Sequence, residues 1–292
     1  MTRAAQAPEE GQAMTPSSPF VSTEWLAANL SAPDLVVVDG SWHMPDAGRS
    51  AHDEYLERHI PGAVFFDIDT IADQASPLPH MLPDPHFFSR KVGSLGIGDG
   101  LRIVVYDTYG LLSAARVWWT FKAFGASDVM ILEGGLPQWL SEERATESGP
   151  VRREWAQFTA RLDHSVVAGM SQVERAVSSG STQILDARSA ERFAGAAPEP
   201  RPGISSGHMA GAFNLPHGRV VADGRLVSPD EIRAAVADSG LDLSKPVITS
   251  CGSGVSAAIL WLALEAIGKR PQALYDGSWT EWASAGKPIV TD

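Results

Sequence analysis

The sequence predicts an α/β protein made of two tandem units, each a parallel sheet flanked by helices. Short apolar strands alternate with helical stretches along the whole chain, and this alternation is typical of parallel sheets covered by helices. Similar local patterns also return in the same order after roughly 145 residues, which indicates one module written twice. A chain of 292 residues is long enough for two domains, each with its own core.

The repeat consists of four pairs of matching segments. Each half has an apolar strand ending in aspartate, a His-led segment ending in Gly-Ala, a strand leading to Ser-Ala-Ala, and an acidic-Gly segment ending in Trp. The pairs are 35–39 with 184–186, 59–63 with 208–212, 102–107 with 246–251, and 133–139 with 276–282. At the end of the third pair the first half has Asp107 where the second has Cys251, so we expect the second half to carry the chemistry.

Helix and domain boundaries follow from periodicity and composition. Gly125 and Gly268 lie where two helices should end, because glycine is common just past a helix C-terminus. Helices are predicted over 87–95, 114–124, 229–239 and 256–267. The predicted domain plan is a disordered lead-in over 1–18, a first domain over 19–145, a polar connector over 146–165, and a second, catalytic domain over 166–292.

Composition excludes several classes of function. A net charge of −12 disfavours binding to nucleic acid or to an anionic membrane. A single cysteine forms no internal disulfide and no thiolate cluster, and the eight histidines show no metal-ligand spacing, so no metal is expected. The N-terminus lacks the apolar core of a signal peptide, and no apolar run is long enough to span a membrane. We therefore expect a cytoplasmic protein.

The segment around Cys251 predicts a strand, a glycine-rich turn and then a helix. Gly252 and Gly254 allow successive backbone N–H groups to converge on one spot, which makes a cradle for an anion. The helix that opens near Ser256 adds its positive end to the same place. A cysteine there is expected to act as a thiolate nucleophile. An inert buried cysteine is the alternative, but the polar, glycine-rich neighbours favour function.

The run Cys251-Gly-Ser-Gly-Val-Ser256 carries a family resemblance. From about Val21 onward the chain resembles the tandem-domain sulfurtransferases of the rhodanese fold, in which the N-terminal domain is inactive. The loop is similar to that of the mercaptopyruvate branch, whereas the thiosulfate branch carries a basic side chain after the cysteine. Ser256 stands where threonine is usual, so the hydroxyl is kept.

The resemblance implies roles for residues that the sequence alone leaves open. Arg192 and Arg201 fall on the family's substrate arginines, and guanidinium groups suit the carboxylate and carbonyl of an α-keto acid. Asp69 and His80 match a pair that joins Ser253 in a proton relay. The other residues expected to contact substrate are Gly252, Gly254, Val255 and Ser256. Without the resemblance, the arginines would be ordinary surface residues, and Asp69 and His80 would cap loops.

The implied reaction moves sulfur from 3-mercaptopyruvate through a Cys251 persulfide to a thiol acceptor such as thioredoxin or a small thiol, or to cyanide, with release of pyruvate. No metal or organic cofactor is implied. Two alternatives stay open: a thiosulfate sulfurtransferase, and a non-enzymatic docking or redox module of the same fold. A cysteine phosphatase is disfavoured, because Ala257 stands where that class needs an arginine.

Overall fold

The structure is a computed structural model that describes residues 18–292. It contains two five-stranded parallel sheets with the same spatial order of strands, together with one small antiparallel hairpin. This arrangement confirms the predicted fold class. The lead-in predicted over 1–18 lies outside the described residues except for Ser18.

Within the described residues, the N-terminal half holds five strands and five α-helices. Its sheet has the order β1-β5-β4-β2-β3, and every neighbouring pair is parallel. The elements are β1 (Phe20–Val21), α1 (Thr23–Asn29), β2 (Leu35–Asp39), α2 (Ala51–Glu57), β3 (Val64–Phe65), α3 (Pro85–Ser94), β4 (Arg102–Tyr106), α4 (Ser113–Ala123), β5 (Val129–Leu132) and α5 (Gly135–Ser141).

The C-terminal half repeats this plan with the sheet order β6-β12-β11-β7-β8. Its neighbouring strands are again parallel. The elements are β6 (Val167–Ala168), α6 (Met170–Ser179), β7 (Gln183–Asp186), α7 (Ala190–Phe193), β8 (Phe213–Asn214), the hairpin β9 (Val221–Ala222) and β10 (Arg225–Leu226), α8 (Pro229–Asp238), β11 (Val247–Ser250), α9 (Ala257–Ala266), β12 (Ala273–Tyr275) and α10 (Ser278–Ser284).

Capping residues explain where several helices begin and end. Asp84 accepts the N–H groups of His86 and Phe87, so α3 begins two residues before the predicted start. Ser228 and Glu231 form a reciprocal capping box at the start of α8. Gly125 and Gly268 adopt positive φ just past α4 and α9, as predicted for helix ends.

One continuous apolar core joins the two halves. A single cluster of buried side chains includes Val105 of the first sheet and Leu185 of the second. At the contact between α4 and α9, the rings of Trp119 and Trp261 meet edge to face with centroids 6.3 Å apart. The two halves therefore meet through their equivalent helices.

The predicted connector follows the N-terminal half closely. Residues 148–163 contain neither helix nor strand, yet their backbone bonds to that half, for example from the Ala156 N–H to the Gly93 carbonyl. Phe158 is buried against Phe88 and Phe121. The connector and domain boundaries remain predictions.

Loops from each half reach across to the other half. The segment 66–84, after β3, contacts the cysteine loop through His80. The β9–β10 hairpin, after β8, contacts the Asp107 loop so closely that a Cβ on Gly110 would lie 2.5 Å from the Gly224 Cα. The loop after β4, which contains Asp107, and the loop after β11, which contains Cys251, are thus each covered by the opposite half. Among the described residues, no helix is long and apolar enough to cross a bilayer.

Candidate active site

Cys251 directly follows β11, at the carboxyl edge of the second sheet, and is 2% exposed. Its backbone N–H donates to the Ser278 hydroxyl at 3.2 Å, and its carbonyl accepts the Trp279 N–H at 2.9 Å. The next carbonyl, of Gly252, accepts the N–H and the hydroxyl of Thr280 at 3.0 and 2.7 Å. The segment after β12 therefore fixes the backbone that presents the sulfur.

The equivalent loop in the first half shows what such a loop binds. The Asp107 carboxylate accepts the backbone N–H groups of Tyr109, Leu112 and Ala114 at 2.7 to 2.8 Å. Burial raises the pKa of this carboxyl, while these N–H groups act in the opposite direction. In the second half, the backbone N–H groups of residues 252–256 donate to no protein acceptor within 18–292. That loop can therefore stabilise an anion attached to Cys251.

Glycine is required at position 254. Gly254 has a φ of 79°, which L side chains rarely adopt. A Cβ there would lie 2.8 Å from the Arg116 guanidinium and 2.9 Å from the Asp276 carbonyl. At Gly252 a Cβ would lie 3.1 Å from Arg192 Nη2, so a side chain at this position would crowd that arginine.

The three residues predicted as a relay lie in contact with one another. His80 Nε2 is 2.9 Å from Asp69 Oδ1, and His80 Nδ1 is 3.1 Å from the Ser253 hydroxyl oxygen. Because an ionised carboxylate only accepts, Nε2 of His80 carries a proton toward Asp69. Nδ1 faces the Ser253 hydroxyl and, at 3.3 Å, the Ser253 carbonyl. The first half therefore supplies two side chains, Asp69 and His80, to a site whose cysteine lies in the second half.

Asp69 is kept ionised by its neighbours. Desolvation in the cleft tends to raise the pKa of this carboxyl, but the hydrogen bond and charge of His80, the Trp42 indole N–H and the charge of Arg201 lower it below its ordinary value. The Trp42 N–H donates to Asp69 Oδ2 at 3.0 Å, and the Trp42 ring meets the His80 ring edge to face. An ionised Asp69 fixes the orientation and tautomer of His80.

Arg192 lies beside the cysteine loop and is held by an acid. The Glu199 carboxylate accepts from Nε and Nη2 of Arg192, the first at 3.2 Å. Glu199 also accepts from Arg188 at 2.7 Å, and Arg188 is itself paired with buried Asp186. This chain of charges fixes the guanidinium of Arg192 in the mouth of the site.

Arg201 lies within electrostatic reach of both Cys251 and Asp69. Burial lowers the pKa of its guanidinium, although the charges of Cys251 and Asp69 oppose that shift. A weakly solvated cation at this place favours binding of an anionic substrate.

Both halves of the chain match the same domain family. The Rhodanese-like domain family matches residues 22–142 and 170–285. The chain belongs to the rhodanese-like family. The first of its two rhodanese-like halves has Asp107 at the position where the second has Cys251.

Named relatives of this rhodanese-like chain act on two different sulfur donors. Human 3-mercaptopyruvate sulfurtransferase is 42% identical over 276 residues, covering 92% of this chain and 93% of the relative. Thiosulfate sulfurtransferase of Bos taurus is 43% identical over 277 residues, with the same coverage. The crystal structure of a 3-mercaptopyruvate sulfotransferase from Escherichia coli matches with a TM-score of 0.84 and 38% identity, covering 90% of this chain and 99% of that one. Overall identity therefore does not separate the two donors.

All the site residues predicted from the sequence lie at or beside the cysteine loop of the second rhodanese-like half. Gly252, Gly254, Val255 and Ser256 complete that loop, and α9 begins directly after it. Sequence reasoning did not single out Trp42, Arg116, Glu199 or Asp276. Arg116 did leave a signal, since it is a lone charge in the apolar start of α4, in Ala-Ala-Arg-Val-Trp-Trp.

Proposed function

We propose that this protein transfers sulfur from 3-mercaptopyruvate, through a persulfide on Cys251, to a thiol acceptor and releases pyruvate. The observation that carries the proposal is the surroundings of Cys251. Backbone N–H groups with no acceptor within 18–292, two arginines and a hydrogen-bonded Ser253–His80–Asp69 relay surround the loop that carries Cys251.

The two arginines suit the donor's α-keto acid group. Mercaptopyruvate presents a planar carboxylate and an adjacent carbonyl oxygen, and two guanidinium forks can bind both. Because Glu199 and Asp186 already fix Arg192 and its neighbour Arg188, little side-chain freedom is lost when substrate binds. The arginines also withdraw electrons from the carbonyl that must accept charge in the next step.

The first chemical step forms a disulfur bond and breaks a carbon–sulfur bond. The Cys251 thiolate attacks the sulfur of mercaptopyruvate, and the electron pair of the C–S bond moves onto carbon as the pyruvate enolate. The enolate carbon gains one proton and the substrate thiol loses one, so protons balance. Ser253 and His80 are placed to carry that proton, because His80 Nδ1 lies 3.1 Å from the Ser253 hydroxyl.

The second step regenerates the enzyme. An acceptor thiolate attacks the outer sulfur of the persulfide, and Cys251 leaves as thiolate. The N–H groups of residues 252–256 stabilise anionic sulfur in both states, much as three such groups bind the Asp107 carboxylate in the first half. A thioredoxin or a small thiol supplies the acceptor in this proposal.

Position 252 favours mercaptopyruvate over thiosulfate as donor. A Cβ at Gly252 would lie 3.1 Å from Arg192 Nη2, so the basic residue typical of the thiosulfate branch would displace or repel that arginine. Glycine leaves the Arg192 guanidinium, held by Glu199, in place to bind a carboxylate. The neutral loop thus supports the proposed donor where overall identity does not.

Intact-mass measurement after incubation with 3-mercaptopyruvate tests the proposal. The wild-type chain should gain the mass of one sulfur atom, reductant should remove it, and Cys251→Ser should gain nothing. No added mass on folded wild-type protein would overturn the enzymatic proposal and leave the docking module.

Steady-state kinetics test the choice of donor. Sulfide release from 3-mercaptopyruvate with a thiol acceptor should have a kcat/KM far above that of thiocyanate formation from thiosulfate and cyanide. The Gly252→Lys variant should move this ratio toward thiosulfate. A wild-type preference for thiosulfate would contradict the assignment.

A further inference from the structure

Arg116 is a charged side chain buried in the contact between the halves. It lies in the first turns of α4 and is 2% exposed. Its guanidinium packs over the Trp119 ring at 4.8 Å. An unpaired buried charge is strongly unfavourable. The groups that pair with Arg116 therefore indicate its role.

Those partners come from both sides of the active site. Arg116 Nη2 donates to the His80 carbonyl at 2.7 Å and to Asp276 Oδ1 at 2.6 Å. Nη1 donates to the Gly254 carbonyl at 3.3 Å. One guanidinium therefore joins the relay histidine of the first half to the cysteine loop of the second.

The bond to His80 acts on a strained residue. His80 is one of four described non-glycine residues with positive φ, at 61°, a conformation that persists only where the surroundings enforce it. Arg116 holds the carbonyl of this residue, and the Leu82 N–H, two residues on, donates to Asp276 Oδ2 at 2.8 Å. The Arg116–Asp276 pair thus fixes the backbone that aims the His80 ring at Ser253.

The bond to Asp276 acts on the cysteine loop. Asp276 lies two residues before Ser278, which with Trp279 and Thr280 binds the backbone of Cys251 and Gly252. The Gly254 carbonyl is held from the other side by Arg116 itself. The His80 ring and the Ser253 hydroxyl are therefore both positioned by one buried ion pair.

A charge is not needed to pack this helix. In the second half, the position equivalent to Arg116, three residues after the Ser of Ser-Ala-Ala, is Ile259 on α9, which is fully buried. A hydrophobic residue thus serves where the helix only packs, and the arginine occurs in the half whose loop reaches the active cysteine.

We propose that Arg116, acting through Asp276, is a positioning residue for the sulfur transfer proposed above: it sets the geometry between His80 and Ser253. The inference rests on the proposed function. The proposed effect of Arg116 passes through His80, whose carbonyl it holds.

The decisive experiment combines Arg116→Lys with His80→Ala. Lysine keeps the charge but cannot reach three acceptors as a planar fork. Arg116→Lys should lower kcat with 3-mercaptopyruvate by about 10- to 100-fold, the range expected for a misplaced catalytic group, with KM changed by less than about twofold. In the His80→Ala background the same substitution should lower kcat by less than about twofold, because its effect depends on His80.

Arg102→Lys is the matched control, since Arg102 makes a bidentate bond to Asp34 on the surface of the first half. Its kcat should equal that of wild type. If Arg116→Lys does not fold, as judged by circular dichroism, the neutral pair Arg116→Gln with Asp276→Asn replaces it, with the same expected loss of kcat.

Two results would overturn the inference: a kcat within twofold of wild type in the folded Arg116 variant, or an undiminished further loss in the His80→Ala background. Persulfide formation by wild-type protein is measured in parallel. Its absence would count against the proposed function, whereas normal persulfide formation with an unaffected Arg116 variant would count against Arg116 alone.

Discussion

Single residues divide between those that meet the substrate and those that orient them. In the proposed reaction Arg192 and Arg201 bind the donor, while Glu199 fixes Arg192 from behind. Asp69 does the same for His80. Substitutions of the two kinds should therefore affect different kinetic constants.

Loss of either substrate arginine should weaken donor binding. Arg192→Gln and Arg201→Gln should each raise KM for 3-mercaptopyruvate by about 10- to 100-fold, as expected for loss of a charge-assisted hydrogen bond. Steady-state kinetics measure this, with Arg175→Gln on the exposed face of α6 as control. Unchanged KM in both variants would show that neither arginine holds the donor.

A buried acid in the first half should make stability depend on pH. Asp39 is 1% exposed, and burial raises its pKa to about 6 against the hydrogen bonds of Ser41. The folded protein then carries an unfavourable charge above pH 6. This cost shrinks as pH falls through 6 and disappears below about 4, where the unfolded state is protonated as well.

Asp39→Asn should therefore raise the free energy of unfolding at pH 8 by at most about 3 kcal/mol, with a gain that declines toward pH 4.5. Urea denaturation at the two pH values measures it. Asp186→Asn is the matched comparison, because Asp186 occupies the same place in the second half but is paired with buried Arg188. That variant should be destabilised at pH 8, and equal signs for the two variants would contradict the explanation.

At the scale of elements, the loop between β11 and α9 joins backbone conformation to catalysis. Its glycines allow the N–H groups to converge, and its position at the carboxyl edge of a parallel sheet places it at the mouth of the cleft. The equivalent Asp107 loop in the first half, one residue longer up to the shared Ser-Ala-Ala, binds its own carboxylate with backbone N–H groups. Equivalent loops thus either bind an internal carboxylate or leave their N–H groups for an anion on the cysteine, according to the residue that follows the strand.

Two glycines with similar φ allow the cost of backbone strain to be measured separately from a role in activity. Gly254 and Gly268 have φ of 79° and 83°, but only Gly254 would place a Cβ against Arg116 and Asp276. Gly268→Ala should cost about 1–2 kcal/mol of stability, the cost of a left-handed residue, with unchanged kcat. Gly254→Ala should also lose most of its persulfide formation. Thermal unfolding and intact mass would check both, and equal activity in the two variants would contradict this role for the loop.

At the scale of the whole molecule, the two halves share one buried apolar cluster. Their cores are continuous through α4 and α9, and each half covers the loop of the other. The wild-type protein should therefore unfold in a single calorimetric transition.

Trp261→Ala should lower the midpoint of that transition, with a cost of about 3–5 kcal/mol for a large aromatic removed from a core. Trp155→Ala, at a side chain 67% exposed, should change it little. Two resolved transitions in wild-type protein would show that the halves unfold independently.

The sequence by itself determined the duplicated α/β plan, the half that carries the cysteine and the character of its loop. These are local properties, because strand and helix periods, glycine positions and the exchange of Asp107 for Cys251 can be read within short windows. The family resemblance added Asp69, His80, Arg192 and Arg201, which the structure brings to the same cleft.

Only the tertiary structure decided what holds these groups in place. Arg116, Asp276 and Glu199 act through contacts between segments far apart in sequence, and Arg116 lies 138 residues from the carbonyl it holds at Gly254. The sequence of an apolar helix gives no role to a single charged residue until the partners of that charge are known. Those partners are set by the packing of one half on the other, and no local pattern encodes that packing.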